Sequence, residues 1–182
     1  MLALYMHHYP ARYRVIAGLI PDGSSVLDVC CGPAILYSRY LRPKAIEYTG
    51  LDMSSTFINR VIRKGGRGYV WDVRSDTPLP RAEYVIMQGS LYHFLPEPAP
   101  LINRMLAAAT RQVIIAEPVR NLTSSTFPPL AAIARRLTKT DDGVPHRFTE
   151  QTFDEFFEAF SPRVTSTFSL PGGREKVVAL AK

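Results

Sequence analysis

The chain has 182 residues, 46% of them hydrophobic and 21% charged, with a formal net charge of +6. This is the profile of one globular domain spanning 1–182, long enough to bury a sizeable core. No apolar run approaches the ~20 residues of a membrane span, and the opening residues carry neither a basic leader nor a long apolar stretch, so a cytoplasmic protein that does not enter a membrane is expected.

Tyr9, Tyr13, Ile16 and Ile20 fall on one face at helical spacing and predict an N-terminal helix over about 5–20. Pro21-Asp22-Gly23 turns the chain into a first strand, Val26–Val29. Pro33 opens a helix that Pro43 stops, and Ile46–Leu51 forms a second strand. Ser54 or Ser55 caps a helix running to Lys64, which Gly65-Gly66 ends. Short strands follow at Tyr69–Trp71 and Tyr84–Met87, separated by a polar loop over 72–81. A proline-led helix ends near Ala109, and Gln112–Ala116 is the fifth strand. An Ala-, Ile- and Leu-rich helix follows Pro128-Pro129, then a loop over 138–147. Phe153, Phe156, Phe157 and Phe160 stripe one face of a further helix, with Thr152 and Glu155 placed for a capping box. Val164–Leu170 and Lys176–Ala181, joined by Pro171-Gly172-Gly173, read as a hairpin. The alternation predicts an α/β fold: a Rossmann-like, mostly parallel seven-stranded sheet with helices on both faces and a C-terminal antiparallel β-hairpin.

The chemistry concentrates where strands end. Asp28, Asp52, Asp72, Gln88 and Glu117 each close a predicted strand, and in an open parallel sheet those ends line one edge, where ligands bind. After Asp28 come Val29, Cys30, Cys31, Gly32, Pro33 and Ala34, and twenty residues beyond Gly32 stands Asp52. A tight turn of small residues brings backbone N–H groups near a ligand, and the second acid can accept two hydrogen bonds from a ribose diol. A dinucleotide site wants G-x-G-x-x-G, because a pyrophosphate needs bare backbone close by. Here the turn holds one glycine, and Asp28 would repel a diphosphate. A nucleoside with no phosphate and a positive charge fits better, as S-adenosylmethionine does. The adjacent Cys30 and Cys31 are poorly placed for a relaxed disulfide and too few for structural zinc, so they read as small turn residues and no metal is expected.

Asp28 to Ala34 resembles motif I of the class I S-adenosylmethionine-dependent methyltransferases, Asp-x-Gly-x-Gly-x-Gly, with Cys30 and Ala34 in place of the first and third glycines. Asp52 matches the family's acid after the second strand, Trp71-Asp72-Val73 the segment after the third, and Gln88-Gly89-Ser90-Leu91-Tyr92-His93-Phe94 the segment after the fourth. The resemblance implies a cofactor half over about 24–94 and an acceptor-shaping half over about 95–182. It implies that Asp52 takes the ribose hydroxyls, Asp72 the adenine, and Gly32 with its neighbours the methionine portion, with Asp28 orienting the turn. Cys30, Cys31, Met53, Val73, Gln88, Gly89 and Ser90 complete the expected cofactor contacts.

Methyl transfer to oxygen or nitrogen calls for alignment and, for some acceptors, a general base near neutral pH. His93, after the fourth strand, is the leading candidate, and Glu117, after the fifth, is the second. Tyr9, Tyr92, His93, His146 and Arg147 are candidates for the acceptor site, with His7, His8 and Tyr9 also placed to form a lid. So little chain remains outside the core that a small-molecule acceptor is expected. Two rival readings remain. An RNA or protein acceptor would use the basic surface, densest at Arg60, Arg63, Lys64 and Arg67. A non-catalytic cofactor-binding or scaffold protein would be consistent with the altered glycine positions.

Overall fold

The computed structural model describes residues 9–120 and 147–182. Seven strands form one sheet in the order β3-β2-β1-β4-β5-β7-β6. They are β1 Ser25–Val29, β2 Glu47–Asp52, β3 Arg67–Val70, β4 Ala82–Gln88, β5 Ala109–Pro118, β6 Val164–Ser169 and β7 Glu175–Ala181. The first five pair in parallel, and β7 runs antiparallel between β5 and β6. A strand is present wherever the sequence predicts one, but β3 starts two residues earlier than expected and leaves Trp71 outside it, and β4 and β5 extend at both ends.

Buried strands alternate between two faces, as a period of two requires. Val85 and Met87 of β4 and Val113 and Ile115 of β5 face one core with α3 (Ala99–Ala108) and α4 (Glu150–Glu158). Tyr84, Ile86, Ile114 and Ala116 face the other, with α1 (Tyr9–Gly18) and α2 (Ser55–Arg63). Tyr13 and Ile16 anchor α1 to the second core, and Ile20, just beyond its end, is fully buried there. Ser54 caps α2 by accepting the Phe57 N–H, and Gly65 at φ +90° carries the chain away from it.

Two local expectations are corrected. The segment after Pro33 forms a π-helical turn at Tyr37–Leu41 and a 3-10 turn at Arg42–Lys44, so Pro43 lies inside the last turn instead of stopping a helix. The α4 capping box begins three residues earlier than expected: the Thr149 hydroxyl accepts the Thr152 N–H, and the Thr152 hydroxyl accepts the Thr149 N–H. Glu155 instead accepts a hydrogen bond from Gln151 one turn away. The helix after Pro128-Pro129, most of the 138–147 loop, His7, His8 and His146 lie outside the described residues.

Candidate active site

All five predicted strand-end residues lie along the carboxyl edge of the sheet: Asp28 one residue before the end of β1, Asp52 and Gln88 ending β2 and β4, Asp72 just past β3, and Glu117 one residue before the end of β5. Antiparallel β7 starts at this edge, which brings Glu175 opposite Pro118.

The β1–β2 end is a turn held by carboxylates. Asp52 Oδ2 accepts the Gly32 N–H at 2.9 Å and Oδ1 accepts the Ser54 N–H at 2.8 Å. One half-buried side chain thus fixes both the motif turn and the cap of α2, while each oxygen keeps a lone pair for a further donor. The Cys31 N–H donates to the Leu51 carbonyl, tying the turn to β2. Cys30, Gly32 and Ala34 adopt φ of +58°, +52° and +51°, so the turn keeps left-handed geometry at all three of its alternate positions although only one is glycine. A Cβ built on Gly32 would meet open space, so its backbone is accessible to a ligand. Met53 is 61% exposed beside Asp52, an apolar surface for a planar ring. Asp72 is exposed, its carboxylate accepting the Arg74 N–H at 2.9 Å. Val73 is buried in the core and contributes its carbonyl to Arg104.

Asp28 is 2% exposed, and its carboxylate accepts the Tyr48 hydroxyl at 2.7 Å. Burial pushes its pKa up to about 7, partly offset by the Tyr48 hydrogen bond and reinforced by Asp52. Burial also pushes the Cys30 thiol up to about 12 and raises Cys31 further, aided by nearby carboxylates. Neither is a reactive thiolate at neutral pH.

The β4–β5 end differs. Gly89 turns the chain at φ +60°, and Ser90 leads into a 3-10 turn, Leu91–Phe94. Glu117, 1% exposed, accepts the Leu91 N–H through Oε2 at 3.0 Å and so holds that turn from below. Burial pushes its pKa up to about 8, opposed by the backbone N–H groups of Leu91 and Tyr92. The Tyr92 and His93 rings lie 3.9 Å apart, and the Arg147 guanidinium sits over Tyr92 at 4.0 Å. Arg74 lies over Phe94 at 5.5 Å. Partial burial, then Arg147, then Arg74, lower the pKa of His93 below 6.5, so its imidazole is neutral at pH 7. Trp71 Nε1, Gln88 Oε1 and Glu117 Oε1 are sealed from solvent without a hydrogen-bond partner among the described residues. The backbone of Tyr9 opens α1, one turn before Arg12, whose Nε lies 3.0 Å from Glu175 Oε2.

Sequence reasoning missed Tyr48, Arg12, Arg74 and Glu175. Tyr48 reads as one more apolar strand residue, and Glu175 comes to the edge only once β7 is known to run antiparallel to β5.

Strand order, the antiparallel β7 insertion and the acid-lined edge define a Rossmann-like fold of the class I methyltransferase type. The chain belongs to the MetW family: the family model described as methionine biosynthesis protein MetW matches residues 10–123. A search of curated proteins finds no match. A TehB-like S-adenosylmethionine-dependent methyltransferase from Corynebacterium glutamicum aligns at 16% identity and TM-score 0.59, over 100% of this chain and 92% of its own. Magnesium protoporphyrin IX methyltransferase from Synechocystis, solved with S-adenosylhomocysteine, aligns at 16% identity and TM-score 0.65, over 95% and 80%. An O-methyltransferase family 2 protein from Planctomyces limnophilus, solved with apigenin, aligns at 14% identity and TM-score 0.69, over 100% and 60%.

Proposed function

We propose that this chain binds S-adenosylmethionine and catalyses methyl transfer to an oxygen or nitrogen of a small acceptor. The observation that carries the reading is the convergence of half-exposed Asp52, exposed Asp72 and the open Gly32 backbone on one sheet edge, with exposed Met53 beside them. These groups suit a phosphate-free, positively charged nucleoside: two carboxylates for the diol and the amino group of a purine, an apolar side chain for its face, and bare backbone for an amino-acid tail. The adenosylhomocysteine bound by the Synechocystis relative supports the same ligand class here.

The bound cofactor supplies a methyl group on a sulfonium, a carbon already activated for displacement. The protein's part is alignment and proton handling. His93 is the proposed general base: it is exposed on the turn that follows β4, and its neutral imidazole can take a proton at neutral pH. Glu117 serves the same site from beneath, since its sealed carboxyl fixes the backbone that carries Tyr92 and His93. Tyr92 and Arg147 would meet the acceptor. Gln88, Gly89, Ser90, Cys30, Cys31 and Val73 shape the cofactor side through backbone and packing, and Asp28 sets the turn through Tyr48.

Titration calorimetry with S-adenosylhomocysteine tests the reading. The wild-type protein binds it, and Asp52→Ala weakens binding by about 1.5–3 kcal/mol, the range for hydrogen bonds to a charged group. Equal affinity in the two proteins, or no binding to either, overturns the assignment.

A further inference from the structure

Beyond the Tyr92–His93 pair the site opens into a cleft of about 490 Å³ between the β4 side and the start of α4, a volume within the range of small-molecule pockets. Leu95, Pro96, Pro98, Phe148 and Phe156 give it apolar walls. Two charged side chains reach it: Arg147, and Glu155, which is exposed and already accepts from Gln151 at 2.8 Å. Arg147 lies at the end next to Tyr92. Among the described residues, neither Arg147 nor Arg74 forms an ion pair with a carboxylate, and the two guanidiniums flank the same four-residue turn. Glu117 and Glu175 are 1% and 2% exposed and so sealed from a ligand, whereas the exposed Asp72 carboxylate accepts the Arg74 backbone N–H, which leaves Arg147 the less screened of the two cations. An apolar cleft with a guanidinium at its Tyr92 end and a carboxylate, Glu155, on its α4 side suits a small apolar molecule whose anionic group lies at the Tyr92 end.

We propose that the acceptor is an apolar molecule bearing one anionic group, the anion held by Arg147 with Arg74 adding to the field, and the apolar part lodged between Leu95, Pro96, Phe148 and Phe156. This rests on the acceptor-side placement above and names its substrate class. The Arg147 guanidinium lies 4.0 Å from the centre of the Tyr92 ring, and a planar guanidinium can grip a carboxylate at two points, which a lysine ammonium does less well. Burial first, and Arg147 and Arg74 after it, lower the pKa of His93.

The test uses 3-phenylpropanoate and its neutral counterpart 3-phenylpropanamide as probes, titrated into the full chain with and without S-adenosylhomocysteine. The acid should bind about tenfold or more tightly than the amide. Arg147→Gln should erase that preference, while Arg147→Lys keeps part of it and both variants bind S-adenosylhomocysteine within about twofold of wild type. Phe156→Ala should weaken both probes together and leave the preference intact, which separates the apolar wall from the charged end. Arg74→Gln, on an exposed loop, should reduce the preference several-fold and gives a second readout should Arg147→Gln fail to fold. Equal affinity for acid and amide, an unchanged preference in Arg147→Gln, or no binding of either probe overturns the proposal. If the acid preference is present while S-adenosylhomocysteine fails to bind, the cofactor assignment falls and the anion site stands.

Discussion

The two halves of one sheet edge carry opposite chemistry. At the β1–β2 end the acids are in reach of a ligand: Asp52 is half-buried, Asp72 is exposed, and both keep acceptor capacity. At the β4–β5 end Glu117 and Glu175 are sealed, Arg147 and His93 lie beside Tyr92, and Arg74, whose backbone N–H is held by Asp72, reaches over Phe94 from the first half. On the proposed reading, a cationic nucleoside would favour the acid-bearing first half and an anionic acceptor the Arg147 end of the second. Where the halves meet, at the turn carrying His93, a donor and an acceptor of opposite charge would be brought side by side.

The largest effect expected is at that junction. His93→Gln should lower turnover by about 10²–10⁴-fold, the range for removing a general base. If His93 is the base, as proposed, its working form is the neutral imidazole, whose pKa is lowered from 6.5, and wild-type kcat/KM should climb with pH and level off by neutrality. The variant should lose that acid limb. A variant that keeps both rate and limb removes His93 from proton transfer and moves the function of this half to binding alone.

The next effect separates the halves by stability. Glu117→Ala leaves the Leu91 N–H without its partner in a buried place, at a cost of about 1–3 kcal/mol. Thermal unfolding should shift down accordingly, and turnover should fall with the loosened turn. Glu117→Gln keeps an acceptor oxygen and should recover most of both. S-adenosylhomocysteine affinity should stay within about twofold in either variant, because the carboxylate acts only on the β4–β5 half. Equal loss of cofactor affinity and turnover would show the halves to be one unit.

Asp28 supplies a pH test of the other half. Its carboxyl titrates near 7 in the fold against 3.8 unperturbed, so between those values the folded chain keeps a proton that the unfolded chain releases. Stability from this group therefore falls as pH rises from about 4 to 7, by at most ~1.4 kcal/mol per pH unit. Asp28→Asn removes the titration and can still accept the Tyr48 hydroxyl, so its melting temperature should be flatter over that window and above wild type at its upper end. Parallel profiles for the two proteins would place the proton elsewhere.

The sheet was legible because its central strands are apolar runs bounded by turn residues, and the cofactor half because strand-end acids mark a sheet edge wherever strands run parallel; the edge strands β3 and β6 are more polar. The acceptor half was less legible. Arg74 sits in a polar loop and reads as an ordinary solvated residue until the fold lays it over Phe94. Glu175 heads an antiparallel strand, so only the inserted position of β7 reveals that its first residue shares the edge with the last residues of β5. Glu117 was visible as a strand-end acid, but its burial, and hence its hold on the Leu91 N–H, depends on packing that spacing does not encode. The capping box slipped by three residues because Thr149 and Thr152 are equally good caps in isolation, and only the start of α4 decides between them.

The smallest predicted effect bears on the motif turn itself. Cys30 and Ala34 stand in left-handed backbone where the resembled motif has glycine. A Cβ in that conformation crowds its own backbone, at roughly 1–2 kcal/mol per residue. The turn holds its shape regardless, because Asp52 grips Gly32 and Leu51 grips Cys31 on either side. Ala34 is 1% exposed, so Ala34→Gly removes the crowding but also a buried methyl and some rigidity of the unfolded chain. The net should be a gain of no more than ~1 kcal/mol, a rise in melting temperature of about 2–4 °C for a chain of this length, with S-adenosylhomocysteine affinity unchanged. A destabilised Ala34→Gly would mean that packing of the methyl outweighs the strain, and that this half was shaped around alanine. A gain accompanied by tighter cofactor binding would mean instead that the non-glycine residues hold the turn slightly away from its ligand-ready form.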